Sequence, residues 1–330
     1  MHSVYRGAAY MANWTASDIP PQQGRTAVVT GTGGLGFEDA LALAQAGATV
    51  ILAGRNSSRA TAAINEIRGR VPGAKVIFET LDLANLDSIR GFATRLRHQH
   101  GSLELLINNA GVMTPPQRMQ TADGFELQFG TNYLGHFALT AHLLPLLRQA
   151  KLARVVNVSS VAARSGAIDF NNLQSQRSYQ PMAAYSQSKL ACLMFALELQ
   201  RRSSAAGWGV QSIAAHPGIS RTDLLPNGAG ARSIPGMLRR YLWFLFQPVA
   251  QGALPTLFAA TSPRPRRRRR MERTTARTSS AKPAAIRPWP ESLPWHWTQT
   301  PPPGCGLSRK DSRPWPFHRV RACQHPVPPE

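Results

Sequence analysis

The strongest constraint on this chain is a glycine-rich loop, Gly31-Thr-Gly33-Gly34-Leu35-Gly36, set between a short β-branched run (Arg25–Thr30) and an Ala/Leu-rich helical segment that ends near Ala46. A Gly-x-Gly-x-x-Gly match carries weight only in such a strand–loop–helix context. Glycines let the backbone turn tightly and let its N–H groups approach a phosphate, and the start of a helix adds a positive dipole end. A pyrophosphate-binding turn is the expectation, and with it a fold that can present one.

The rest of the chain supplies that fold. Strand-like runs recur at 48–54, 75–80, 103–108, 154–159 and 210–216, separated by helical stretches at 59–71, 86–100, 125–150 and 182–202. The runs are apolar almost throughout rather than alternating, as expected of strands covered on both faces. The reading is α/β: a doubly wound, Rossmann-type parallel sheet with helices on both faces. Residues 1–23 are read as an N-terminal extension and 24–262 as the dinucleotide-binding catalytic domain.

Beyond residue 263 the pattern stops. Five consecutive arginines, Arg266–Arg270, open a Pro/Arg/Ser/Trp mixture without apolar periodicity, and +11 of the chain's net charge of +21 sits there. Such a segment cannot bury enough apolar surface to offset its ordering entropy, so it is read as a disordered tail. The three cysteines (Cys192, Cys305, Cys323) are widely spaced without a Cys-x-x-Cys pair. Neither a disulfide framework nor a metal site is expected, and a reducing, cytoplasmic compartment fits. No apolar run is long enough for a transmembrane segment.

Two features narrow the cofactor. The end of the second strand reads Gly54-Arg55-Asn56. A carboxylate there would bind a ribose 2′-hydroxyl, whereas Arg55 can pair with a 2′-phosphate, which favours NADP over NAD. Asp82-Leu83 after the third strand would border the adenine, and Asn108-Asn109-Ala110-Gly111 after the fourth lies at the carboxyl edge of the sheet.

Tyr185 and Lys189 are spaced i, i+4 on a helical segment and so project from one face. A phenol titrates too high for efficient proton exchange at neutral pH, and a neighbouring ammonium favours its phenolate. A carbonyl reduction needs such a proton donor beside the hydride source.

Taken in order, the glycine loop, Asn-Asn-Ala-Gly, Asn132-Tyr-Leu-Gly-His-Phe137, Val156-Asn-Val-Ser-Ser160, Tyr185-Ser-Gln-Ser-Lys-Leu190 and His216-Pro217-Gly218 resemble the short-chain dehydrogenase/reductase family. The resemblance spans about residues 14–260 and is nearest to the branch of retinol dehydrogenases and protochlorophyllide reductases. The 25-residue gap from Ser160 to Tyr185 looks like that branch's insertion. The resemblance implies hydride transfer between NADP and an alcohol or carbonyl compound, with Tyr185 as general acid/base. It implies that Lys189 also holds the nicotinamide ribose, that Ser160 (with Ser159 as runner-up) binds the substrate oxygen, and that Asn132 anchors a proton-relay water. Gly31, Gly33, Gly34, Leu35, Gly36, Arg55, Asp82, Leu83, Asn109, Ala110, Gly111, Pro217, Gly218 and Thr222 would line the cofactor, Thr222 on its carboxamide. Met237–Phe246, in the region that lids the pocket in this family, points to an apolar small-molecule substrate, and helices near 125–150 and 182–202 often form homo-oligomer faces in the family.

Two departures stand out. Members of the branch have three residues between the first Gly and the Gly-x-Gly of the phosphate loop; here there are two, Thr32 and Gly33. The C-terminal strand and final helix are replaced by the basic tail, which suggests a reading-frame shift in a GC-rich gene. A second reading therefore makes the chain a catalytically impaired relic or cofactor sensor whose tail contacts nucleic acid; no specific nucleic acid is expected, because no recognised module for one is present.

Overall fold

The computed structural model describes residues 14–218 and 247–263. In chain order its elements are β1 (Thr26–Thr30), α1 (Leu35–Gln45), β2 (Thr49–Gly54), α2 (Ser57–Arg70), β3 (Val76–Thr80), α3 (Leu86–Gln99) and β4 (Leu105–Asn108). A π-helical turn (Phe129–Leu134) then runs into α4 (Gly135–Gln149), followed by β5 (Arg154–Val158), α5 (Pro181–Ala206), β6 (Gln211–Ala215) and α6 (Val249–Thr261). Thr222, Met237–Phe246 and the basic tail lie outside the described residues. Among the described residues no helix is long and apolar enough to cross a membrane.

The six strands form one parallel sheet in the order β3-β2-β1-β4-β5-β6. The central strands β1, β2 and β4 are mostly apolar because each face meets its own core. Ala27, Val29, Val50, Leu52, Leu105 and Ile107 face one cluster, closed by Leu43 of α1, Ile67 of α2 and Leu257 of α6. Val28, Ile51, Leu106 and Val155 face the other, closed by Phe92 and Leu96 of α3 and Leu139 and Leu143 of α4. Full burial of a side chain such as Phe92 contributes about 1.5–3 kcal/mol. Helix starts are set locally: Asn56 accepts from the Arg59 amide at 2.8 Å and Asn85 from the Ser88 amide at 3.0 Å, capping α2 and α3.

The order of strands reverses between β1 and β4, and ligands of such sheets sit beyond the carboxyl ends at that switch point. Register brings Thr30 beside Ala53, and Asn108 beside Asn157, so the glycine loop and the Asn-Asn-Ala-Gly turn leave the sheet at the same edge.

Two local features differ from the sequence reading. Trp14 and Ile19, N-terminal to residue 24, are buried in the first cluster, and the Trp14 ring meets Phe258 of α6 edge-on at 5.4 Å. The helical stretch expected over 125–150 is broken at its start: an isolated bridge pairs Gln120 with Glu126, and the chain enters α4 only through the π turn. At this point the buried Glu126 carboxylate accepts from the amides of Gln128 (2.9 Å) and Phe129 (2.6 Å). Burial pushes its carboxyl group up and those two amides pull it back down.

Candidate active site

The loop after β1 has the shape of a phosphate cradle. Gly31 takes φ +96°, a left-handed conformation open to glycine, and donates its amide to Ala53 at 2.8 Å. Gly36 is pressed against the turn: a Cβ there would lie 2.4 Å from the Gly31 carbonyl and 2.9 Å from Asn109 Nδ2. At Gly33, by contrast, a Cβ would meet nothing within 4 Å, so the crest faces open space. Gly34 leads directly into α1 at Leu35, whose first amides lack intrahelical acceptors. Open space, a helix start and glycine clearance together fit a dinucleotide pyrophosphate. The shortened loop leans on β2, with the Thr32 methyl group 3.0 Å from where a Cβ of Gly54 would stand.

Arg55 follows Gly54 at the end of β2, 63% exposed, its Nε 3.9 Å from Asp82 Oδ1. An exposed pair at that separation is worth at most about 1 kcal/mol, so Arg55 can turn toward another anion. Asp82 also accepts from the Ala84 amide at 2.9 Å, while Leu83 is buried.

Thr30 ties the two turns together. Its hydroxyl accepts from the amides of Asn109 (2.9 Å) and Ala110 (3.0 Å), and its carbonyl accepts from Asn109 Nδ2 at 2.9 Å. Asn108 points into the sheet instead, donating to Asn157 (2.9 Å) and Thr140 (3.1 Å).

The catalytic candidates meet at the end of β5. Tyr185 and Lys189 are almost fully buried on α5, with Lys189 Nζ 5.9 Å from the centroid of the Tyr185 ring. Nζ donates to the Val158 carbonyl at 3.0 Å, which fixes the ammonium at the sheet edge. A Cβ at Gly111 would lie 3.6 Å from that Nζ and 3.0 Å from Asn132 Oδ1, so β4's exit turn, the π turn and α5 converge on one point. Asn132 clamps the convergence: Oδ1 accepts from the Val112 amide (2.8 Å), and Nδ2 lies 3.0 Å from the Val112 carbonyl and 2.9 Å from Ser188 Oγ. Its backbone carbonyl accepts from His136 Nδ1 (2.9 Å) and Cys192 Sγ (3.1 Å), and any water drawn to that oxygen must share it with both.

The two adjacent serines differ sharply. Ser159 is buried and its hydroxyl donates to the Lys189 carbonyl at 2.7 Å. Ser160 is half-buried, and its Oγ accepts from the Ala162 amide at 3.2 Å at the head of a 3-10 turn, Val161–Ser165. After β6, the Gly218 amide donates to His216 Nδ1 at 3.1 Å, and Gln247 donates to the Pro217 carbonyl. Thr222 lies outside the described residues.

Several residues around the site were not singled out from sequence. Gln187, between Tyr185 and Lys189, accepts from the Asp169 amide (2.9 Å) and donates to the Leu173 carbonyl (3.2 Å), holding the insertion against α5. Gln174 binds the Glu126 amide at 2.7 Å, and Tyr179 donates to the Pro115 carbonyl at 2.8 Å. Partial burial beside Glu126 pushes the Tyr179 phenol up to about 12, so it stays a donor. The 25-residue spacing between Ser160 and Tyr185, containing Asp169-Phe-Asn-Asn-Leu173, was the signal in the sequence that pointed to this segment.

A parallel sheet ordered 3-2-1-4-5-6, with a glycine cradle at its switch point, defines a dinucleotide-binding Rossmann-type domain. Comparison with known proteins goes one step further. The family model described as short chain dehydrogenase matches residues 25–229, and the chain belongs to that family of oxidoreductases. It is 40% identical to retinol dehydrogenase 13 of Mus musculus over 268 residues, covering 79% of each chain. It is 42% identical to polyprenol dehydrogenase of Mus musculus over 251 residues, 74% of each. Among solved structures, an uncharacterized protein from Mycobacterium paratuberculosis is 42% identical with a TM-score of 0.61, over 76% of this chain and 82% of that one. A short chain dehydrogenase from Escherichia coli CFT073, solved with NADPH, shares the fold at 23% identity and a TM-score of 0.56, over 73% and 92%.

Proposed function

We propose that this protein is an NADP-dependent oxidoreductase that moves hydride between the nicotinamide and an apolar alcohol or carbonyl compound, with Tyr185 as general acid/base. The reading rests above all on the convergence of Lys189 Nζ, Asn132 and Gly111 beside the buried Tyr185. The glycine loop and the first turn of α1 would hold the pyrophosphate, Arg55 the 2′-phosphate, Asp82 and Leu83 the adenine side. Asn109, Ala110, Gly111, Pro217, Gly218, Thr222 and Lys189 would line the nicotinamide half. When bound, the nicotinamide supplies or accepts the hydride at the carboxyl edge of the sheet.

In the reductive direction Ser160 donates a hydrogen bond to the substrate oxygen, and the Tyr185 hydroxyl delivers a proton to that oxygen as negative charge develops. Lys189, anchored on Val158, stabilises the phenolate left behind. Asn132 keeps the Gly111–Val112 peptide against Lys189 so that the three groups hold their spacing. An apolar substrate agrees with the names of the relatives, which act on retinol and polyprenol.

The deciding experiment is a fluorescence titration with NADPH and NADH, followed by turnover of all-trans-retinal and a panel of long-chain aldehydes and ketones. Tighter binding of NADPH with turnover of at least one carbonyl is expected. Failure to bind either nucleotide, or a preference for NADH, would overturn the assignment.

A further inference from the structure

His136 lies one helical turn beyond Asn132, is 3% exposed, and touches both halves of the site. Its Nε2 is 3.0 Å from the Thr30 hydroxyl, and its Nδ1 is 2.9 Å from the Asn132 carbonyl. The proton positions follow from what each partner can do. A carbonyl only accepts, so Nδ1 carries hydrogen. Burial, reinforced by Lys189, brings the imidazolium down to about 4 despite the Asn132 carbonyl, so the ring is neutral and Nε2 is an acceptor. The Thr30 hydroxyl already accepts from Asn109 and Ala110, which leaves its single proton to be donated, and the nearest acceptor is Nε2, closer than the Ile107 carbonyl at 3.2 Å.

A directed chain results. The amides of the β4 exit turn donate to Thr30, Thr30 donates to His136, and His136 donates to the Asn132 carbonyl, where the Cys192 thiol donates as well. Thr30 precedes Gly31, the first glycine of the cradle, and Asn132 holds Val112 and Ser188 beside Lys189 and Tyr185. The link is buried, so no water competes for it, and hydrogen bonds in such surroundings reinforce one another along a chain.

We propose that His136 is a positioning residue for the reaction: it couples the seating of the dinucleotide loop to the placement of Asn132, and thereby of Lys189. The inference rests on the NADP-linked reading above and adds to it a residue that touches neither nucleotide nor substrate. Loss of the ring loosens both ends at once. His136→Leu therefore weakens NADPH binding about tenfold and lowers kcat about tenfold, while KM for the carbonyl substrate stays within about twofold, since none of the hydrogen bonds of His136 reaches Ser160 or the segment between it and Tyr185.

The test combines these constants with nitrogen-15 NMR of histidine-labelled full-length protein, the signal assigned by replacing each of the other histidines in turn. The parent protein should show the Nδ1–H tautomer at His136, and addition of NADPH should shift both ring nitrogens; Thr30→Val should abolish that response. A His136 ring that is Nε2-protonated, or silent to NADPH in a parent protein that binds it, overturns the inference, and does so even if His136→Leu fails to fold. A folded His136→Leu with parental NADPH affinity and kcat overturns it equally. A parent protein that does not bind NADPH instead removes the functional reading beneath.

Discussion

The hydroxyl of Ser159 donates a 2.7 Å hydrogen bond to the backbone carbonyl of Lys189, joining the end of β5 to the turn of α5 that carries the ammonium. Its neighbour Ser160 stands half-buried beyond that joint. Substitution should separate the two: Ser160→Ala lowers kcat/KM about 10²-fold with the melting temperature nearly unchanged. Ser159→Ala instead destabilises the fold by about 0.5–1.5 kcal/mol, because the buried tie between β5 and α5 is lost. Steady-state kinetics and thermal melts on both variants check this, and the reverse pattern would reassign the serine role.

Tyr185→Phe removes the transferable proton without changing the ring, so turnover should fall by about 10²–10⁴-fold while NADPH titrates as in the parent protein. Lys189→Met should lose both turnover and NADPH affinity, since in the proposed function the same ammonium serves phenol and ribose. Retained activity in Tyr185→Phe would exclude the phenol as general acid.

At the cofactor's other end, Arg55→Ala should weaken NADPH at least tenfold, about 1.4 kcal/mol, and leave NADH binding unaltered. Parallel fluorescence titrations measure both. Equal losses for the two nucleotides would mean that Arg55 does not read the 2′-phosphate.

Gly36→Ala places a methyl group 2.4 Å from the Gly31 carbonyl, so the cradle must open. Loss of nucleotide binding is expected, along with a melting temperature lowered by several degrees. An alanine variant that binds NADPH normally would show that the loop seats its ligand in some other conformation.

Asp39, on α1, is fully buried, and neither carboxyl oxygen has a partner among the described residues. Burial, reinforced by Glu38, raises its pKa well above the ordinary carboxylate value. In the unfolded chain the group ionises near the usual ~4. Between that pH and the raised folded value, the unfolded state releases a proton that the folded state keeps, so stability falls as pH rises. The slope across this window is about 1.4 kcal/mol per pH unit. Asp39→Asn should remove that slope: its melting temperature should match the parent's near pH 4 and exceed it by a margin that grows as pH rises above that. Parallel curves for the two proteins would show that the carboxylate finds a compensating partner.

The central strands were legible in the sequence because strands buried on both faces are largely apolar, as the run Ala48–Gly54 is; β3, with Glu79 and Thr80, and β6, with Gln211 and Ser212, carry less of that signal. The glycine loop and the Tyr185–Lys189 spacing were legible because each is local. Less so were features that depend on distant partners. The π turn carries Asn132, whose side chain reaches Val112, 20 residues away in sequence. The bond that sets Ser159 apart from Ser160 runs to α5, and no local pattern encodes it. His136 stood in a segment already singled out, but its role depends on Thr30, which lies 106 residues earlier.

Gln187 gives the insertion a particular dependence. Its side chain buckles residues 169 and 173 to the one helical turn that bears Tyr185 and Lys189. A segment transplanted here from a relative would have to bring matching backbone groups to Gln187, or it would disturb the helical turn that bears Tyr185 and Lys189. Diversification of what this scaffold accepts is thereby tethered to the very groups that must not move.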